Sequence, residues 1–90
     1  MNEKYNAQAR LFKALSDENR LKTLDLLKDK SYNASELLAE VDFSQSTLSH
    51  HMKIMLNSGI VQGVKNGKWT IYSLKKEFFE ELIGWLEEYL

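Results

Sequence analysis

Ser46, Thr47, Ser49, His50 and Lys53 gather three hydroxyls, an imidazole and an ammonium in one short stretch, with no carboxylate among them. Such groups donate and accept hydrogen bonds at base edges and phosphate oxygens, and the short ones let a backbone come close. Other chemistries fit less well. Ser49, His50 and Asp42 hold the atom types of a hydrolytic triad, but a serine and a histidine adjacent on one helix point apart. His50 and His51 are likewise adjacent, so they cannot chelate one ion together. Carboxylate groupings such as Asp25, Asp29 and Glu36 suit hard cations only weakly. There is no glycine-rich phosphate loop and no carboxylate pair in an apolar setting. No enzymatic activity, cofactor or metal site is expected.

The element that must position these groups runs from Ser44 to Gly59. Ser44 is suited to cap a first helical turn, and Asn57-Ser58-Gly59 is turn-prone and ends it. Leu48, Met52, Met55 and Leu56 fall at i, i+4, i+7 and i+8, one apolar stripe at helical period. At about 100° per residue, the opposite face carries Ser46, His50 and Lys53, with Thr47 and Ser49 on its flanks. Ile54 falls near that outer face, either under the following hairpin or against a thymine methyl. The pattern suits a helix that reads DNA from the major groove.

Charge is distributed to match. The net charge of the 90 residues is −1. Residues 1–43 carry seven Lys/Arg against eight Asp/Glu, whereas residues 44–74 carry Lys53, Lys65 and Lys68 with no acid. Residues 75–90 return to two lysines against five glutamates. The acid-free segment therefore coincides with the reading helix and the hairpin residues after it, as phosphate requires. Three lysines are a thin footprint for a monomer and an adequate one when doubled in a dimer. The absence of cysteine excludes disulfides and thiolate metal sites. No apolar run reaches the ~20 residues of a membrane span. Met1-Asn2-Glu3-Lys4 has no leader character, so a cytoplasmic location is expected.

The flanking elements support that helix. Residues 3–15 read as a helix with Tyr5, Ala9, Phe12 and Leu15 on one stripe, widened by Leu11 and Ala14. Ser16 is the expected cap of a second helix to about Leu27, with Leu21, Leu24 and Leu27 buried and residues 28–32 as polar connection. Asn33 caps a short third helix, 34–40, with Glu36 completing a capping box. Residues 34–57 thus form a helix-turn-helix. Beyond Gly59, residues 60–64 and 68–74 are rich in β-branched and aromatic side chains and flank Asn66-Gly67, a hairpin signal. Lys65 and Lys68 beside that tip would lie against phosphates, making residues 60–74 a wing.

Residues 75–90 read as a helix with too much apolar surface for so small a domain. Phe78, Phe79, Leu82, Trp85, Leu86 and Tyr89 exceed what one chain can cover, so a symmetric dimer is expected. Its interface would be built from these residues with Tyr5 and Phe12 of the first helix. A small organic inducer would find aromatic walls in Phe12, Trp85 and Tyr89, although such a stripe reads first as interface core.

The run Leu11-Phe12-Lys13-Ala14-Leu15-Ser16-Asp17-Glu18-Asn19-Arg20-Leu21 resembles the opening of ArsR/SmtB-type winged-helix repressors. So do the stretch from Ser44 to Lys53, Ser58-Gly59-Ile60-Val61, and the run from Gly67 to Leu74. The resemblance spans about residue 8 to the end. It implies a homodimeric bacterial repressor binding an imperfect palindrome of double-stranded DNA, with Gln45, Ser46, Ser49 and His50 as reading contacts. Thr47 and Lys53 join them from the helical pattern, and Lys65 and Lys68 from the hairpin. The Cys-x-Cys pair and the Asp/His ligands by which family members bind metals are missing here. The expected fold is mainly α with a small β-hairpin, in the order α-α-α-α-β-β-α, as a single domain of residues 1–90. Its dimerisation helices are 3–15 and 75–90. The rival reading is a winged-helix module that binds protein, which would want acidic or apolar residues on the outer face of the reading helix.

Overall fold

Side-chain oxygens take up the free amides at the start of three of the helices. In the computed structural model, which describes residues 3–90, the order is α1 (Glu3–Leu15), α2 (Glu18–Leu27), β1 (Tyr32–Asn33), α3 (Ala34–Glu40), α4 (Gln45–Asn57), β2 (Val61–Asn66), β3 (Trp69–Leu74) and α5 (Lys76–Glu87). Of the expected domain 1–90, Met1 and Asn2 lie outside the described residues. Ser44 Oγ accepts the amide of Thr47 at 3.2 Å and so starts α4. Asn33 and Glu36 exchange side-chain and backbone hydrogen bonds of 2.8 Å each, the capping box that starts α3. The cap of α2 is Asp17, not Ser16. Asp17 Oδ1 accepts the amides of Asn19 and Arg20, while Ser16 closes a turn onto Lys13 at the end of α1.

The chain leaves α4 through a tight reversal. Gly59 takes φ +79, its amide bonds the Leu56 carbonyl, and the Ile60 amide bonds that of Met55. This is a Schellman motif, and Met55 and Ile60 are both fully buried in the same core. It turns the chain directly into β2. The two-residue connection between β2 and β3 is Gly67-Lys68, one position later than the expected Asn66-Gly67, because Asn66 already pairs with Trp69. Gly67 sits at φ +64 in the first central position, as a type II′ turn requires.

The hairpin has a third strand that the sequence did not announce. Tyr32 and Asn33 pair antiparallel with Tyr72 and Ile71, giving the sheet order β1-β3-β2. The connection after α2 is therefore partly sheet, and Tyr32 is buried in the core. That core joins Ala14, Leu24, Leu27, Leu37, Leu48, Met52, Met55, Ile60, Val61 and Phe78.

Several inward or outward assignments change. Leu21 points to solvent, whereas Thr23 in the middle of α2 is fully buried, its hydroxyl donating to the Asn19 carbonyl. Leu56 is exposed, whereas His51 is buried among its apolar neighbours. Ile54 packs towards α1, in a cleft with Ala7, Leu11 and Ala14, and not under the wing. Phe78 belongs to the core of its own chain, so little of it is left for a partner, while Phe79 and Leu82 pack against that core half-buried. Helix α5 is shorter than the expected 75–90, and no helix among the described residues is long and apolar enough to cross a membrane.

Candidate nucleic-acid interface

α3, the four-residue turn 41–44 and α4 form a helix-turn-helix, with α4 held from below by Leu48, Met52 and Met55. Gln45, Ser46, Ser49, His50 and Lys53 are all exposed. Thr47 is half-buried, and its hydroxyl accepts a 3.0 Å hydrogen bond from Ser44, so it is less free than the others. The Ser46 hydroxyl lies 3.2 Å from the same Ser44 oxygen. The first turn of α4 thus presents a small knot of hydroxyls on a fixed backbone, with no acidic residue in that turn.

The wing lies beside it. Lys65 and Lys68 are exposed, and Lys68 Nζ stands 5.2 Å from the centre of the Trp69 ring. Gln45, Ser49 and Lys53 line a groove of about 510 Å³ between α4, the start of α3 and β3. Its other walls include Ser35, Asn57, Leu56, Tyr72 and Trp69. Lys53 is the one charged side chain among the residues lining that groove. The structure therefore gathers three of the expected contacts in one concave strip, while Lys65 and Lys68 mark the hairpin end outside it. Trp69 was not among the expected contacts. It is 46% exposed although large and aromatic, and its position next to Lys68 in a run of strand-forming residues was the available signal.

The two histidines part company. His50 faces solvent, whereas His51 is 5% exposed, edge-on to Phe43 and 3.1 Å from the Arg20 guanidinium through Nδ1. Burial lowers the His51 pKa from its ordinary value near 6.5. The Asp17 carboxylate, with Oδ1 3.8 Å from Nε2, works against that, and Arg20 and His50 work with it. Asp17 itself is held below the usual carboxylate range, chiefly by the backbone amide of Arg20. Among the described residues no cluster of three or more His, Asp or Glu side chains is placed to hold a metal ion.

These geometries agree with known proteins. The profile of the arsR family of bacterial regulatory proteins matches residues 17–62, from the cap of α2 into β2. The arsenical resistance operon repressor of Staphylococcus xylosus is 42% identical over 76 residues, 84% of this chain and 73% of that protein. The transcriptional repressor SdpR of Bacillus subtilis is 30% identical over 89% of each chain. An ArsR-like transcriptional regulator from Rhodococcus sp. superposes with a TM-score of 0.88 at 28% identity, over 97% of this chain and 82% of that one. With the helix-turn-helix, the wing and these relatives in agreement, the chain belongs to the ArsR family of bacterial regulatory proteins.

Proposed function

We propose that the chain is a cytoplasmic, homodimeric repressor that inserts α4 into the major groove of an operator and lays the wing along the neighbouring backbone. The observation that carries this reading is the acid-free outer face of α4, continuous with a lysine-flanked wing in a protein of net charge −1. Gln45, Ser46, Ser49 and His50 are the base-edge contacts, and Lys53, Lys65 and Lys68 the phosphate contacts. Tyr5, Phe12, Trp85, Leu86 and Tyr89 form the dimer surface, joined by the exposed Ile83. The Phe12 and Trp85 rings, 6.2 Å apart, already link α1 to α5 within one protomer.

The arsenic named for the S. xylosus relative does not transfer through thiolates, since these 90 residues contain no cysteine. An organic inducer held near Phe12, Trp85 and Tyr89 is the form of control that the composition leaves most open.

The test is fluorescence anisotropy with DNA from upstream of the chain's own gene, at two salt concentrations, for the wild type and His50→Ala. Saturable binding with a steep salt slope, weakened in the variant, supports the assignment. Binding no tighter than to random DNA, with the variant unchanged, overturns it and favours a protein partner for α4.

A further inference from the structure

We infer that Arg20 and His51 are positioning residues for DNA recognition: one guanidinium ties α4 to the last turn of α1, and the tie holds only while His51 Nδ1 carries no proton. The inference rests on the DNA-binding reading above and assigns regulation to that same helix.

Arg20 stands in the first turn of α2, between the two elements it joins. Its Nε donates to the Ala14 carbonyl at 2.6 Å, one of the last carbonyls of α1 and without an intrahelical partner of its own. Its NH1 lies 3.1 Å from His51 Nδ1, halfway along α4. A guanidinium only donates, so Nδ1 must accept. The ring proton of neutral His51 then sits on Nε2, the nitrogen that faces Asp17 Oδ1 at 3.8 Å. Backbone amides of Asn19 and Arg20 fix Asp17 in turn. Three helices therefore meet at one guanidinium and one imidazole.

A proton on Nδ1 sets an N–H against an N–H and a cation against a cation, and the tie is lost. The groups around the ring favour the neutral form. Arg20 from α2 and His50 on α4 repel a charged ring, and the packed Phe43 ring offers it no charge. Arg10 and Lys13 of α1 share a cleft with Arg20 beneath Ile54. Asp17 is the one acidic group that opposes them. Loss of the tie matters because α1 carries part of the proposed dimer face. In a dimer, the two reading helices must meet half-sites about one DNA turn apart, roughly 34 Å, and a slack joint between α1 and α4 lets that spacing drift.

The test compares the wild type with His51→Asn and His51→Leu. Asparagine sets its Oδ1 where Nδ1 was and cannot ionise, whereas leucine removes the acceptor. In the free protein, amide-exchange protection of residues 45–57 should fall about tenfold in His51→Leu, and in the wild type on going from about pH 7.5 to about pH 5, but not in His51→Asn. Operator affinity of the wild type relative to His51→Asn should fall about tenfold over the same range. His50 is common to all three proteins, so its contribution cancels in that ratio. Equal protection in all three proteins at both pH values overturns the tie. A flat affinity ratio beside the expected protection pattern overturns its role in recognition. The expected protection pattern with no protein binding the promoter DNA tightly instead faults the operator reading, and leaves the tie standing on the exchange data.

Discussion

His50 and His51 follow one another in the chain, yet one ring is in water and the other lies against Arg20 and Phe43. The consequence for stability has a definite sign. Because burial holds the folded-state pKa of His51 below 6.5, the neutral ring's contribution is fully present above the unfolded value. It is lost as pH falls through the lower folded value. Asp17 behaves likewise in a more acidic window, below 3.8, because its two backbone hydrogen bonds favour the carboxylate. Urea midpoints should therefore drop between neutral pH and about pH 5 more in the wild type than in His51→Asn. Parallel curves would show that the buried ring does not titrate. On the wet face the distinction is between charge and shape. Lys53→Ala should weaken binding to all DNA sequences alike and reduce the salt slope by about one per protomer, or about two for the dimer. Ser46→Ala should keep the slope and narrow the gap between operator and random DNA. Anisotropy titrations over a salt series separate the two, and equal slopes for all proteins would remove Lys53 from the phosphate contacts.

At the level of elements, the turn after α4 aims the wing. Its geometry depends on Gly59, whose φ of +79 costs a side chain strain even though no atom lies within 4 Å of the Cβ position. Gly59→Ala should cost about 1–2 kcal/mol of stability, read by chemical denaturation at fixed protein concentration. An unchanged midpoint would mean that the reversal relaxes without glycine. This turn and the caps at Ser44 and Asn33 were legible in the sequence because their signals are local: a hydroxyl or amide, then a partner three residues on. The strand Tyr32–Asn33 was not, since two residues carry no periodicity and their pairing depends on Tyr72 and Ile71, far along the chain. His51 was hidden for the same reason. A histidine beside an apolar stripe reads as solvated until Arg20, 31 positions away, supplies the donor that makes burial tolerable. The hairpin tip shifted by one residue because Asn66 is better used pairing with Trp69, leaving the positive φ to Gly67 alone. Of the expected contacts, Ser46 and Thr47 both meet the Ser44 hydroxyl in hydrogen bonds that the helical wheel does not show, and Thr47 is half-buried besides.

For the whole molecule, charge and apolar surface occupy different elements. The acid-free segment holds α4 and the wing, while α5 combines a net excess of glutamate with an apolar face that its own chain leaves open. Tyr89 is 86% exposed, Tyr5 63% and Ile83 57%, whereas Phe78 is spent on the core. Burying an apolar side chain of this size is worth about 1.5–3 kcal/mol, so several of them left in water favour association with a second copy. Association would also double the three lysines of the acid-free segment, which are few for one protomer on DNA. A dimer therefore serves both needs. Leu86 is exposed and outside the core, so Leu86→Glu should leave the protomer folded while placing like charges across a symmetric interface. Sedimentation equilibrium should then find a monomer, and operator affinity should fall about 10²–10⁴-fold, the advantage of two linked half-site contacts over one. A variant that remains dimeric would move the interface away from α5. A monomer that still binds the operator at full strength would mean that one copy of α4 and its wing suffices for recognition.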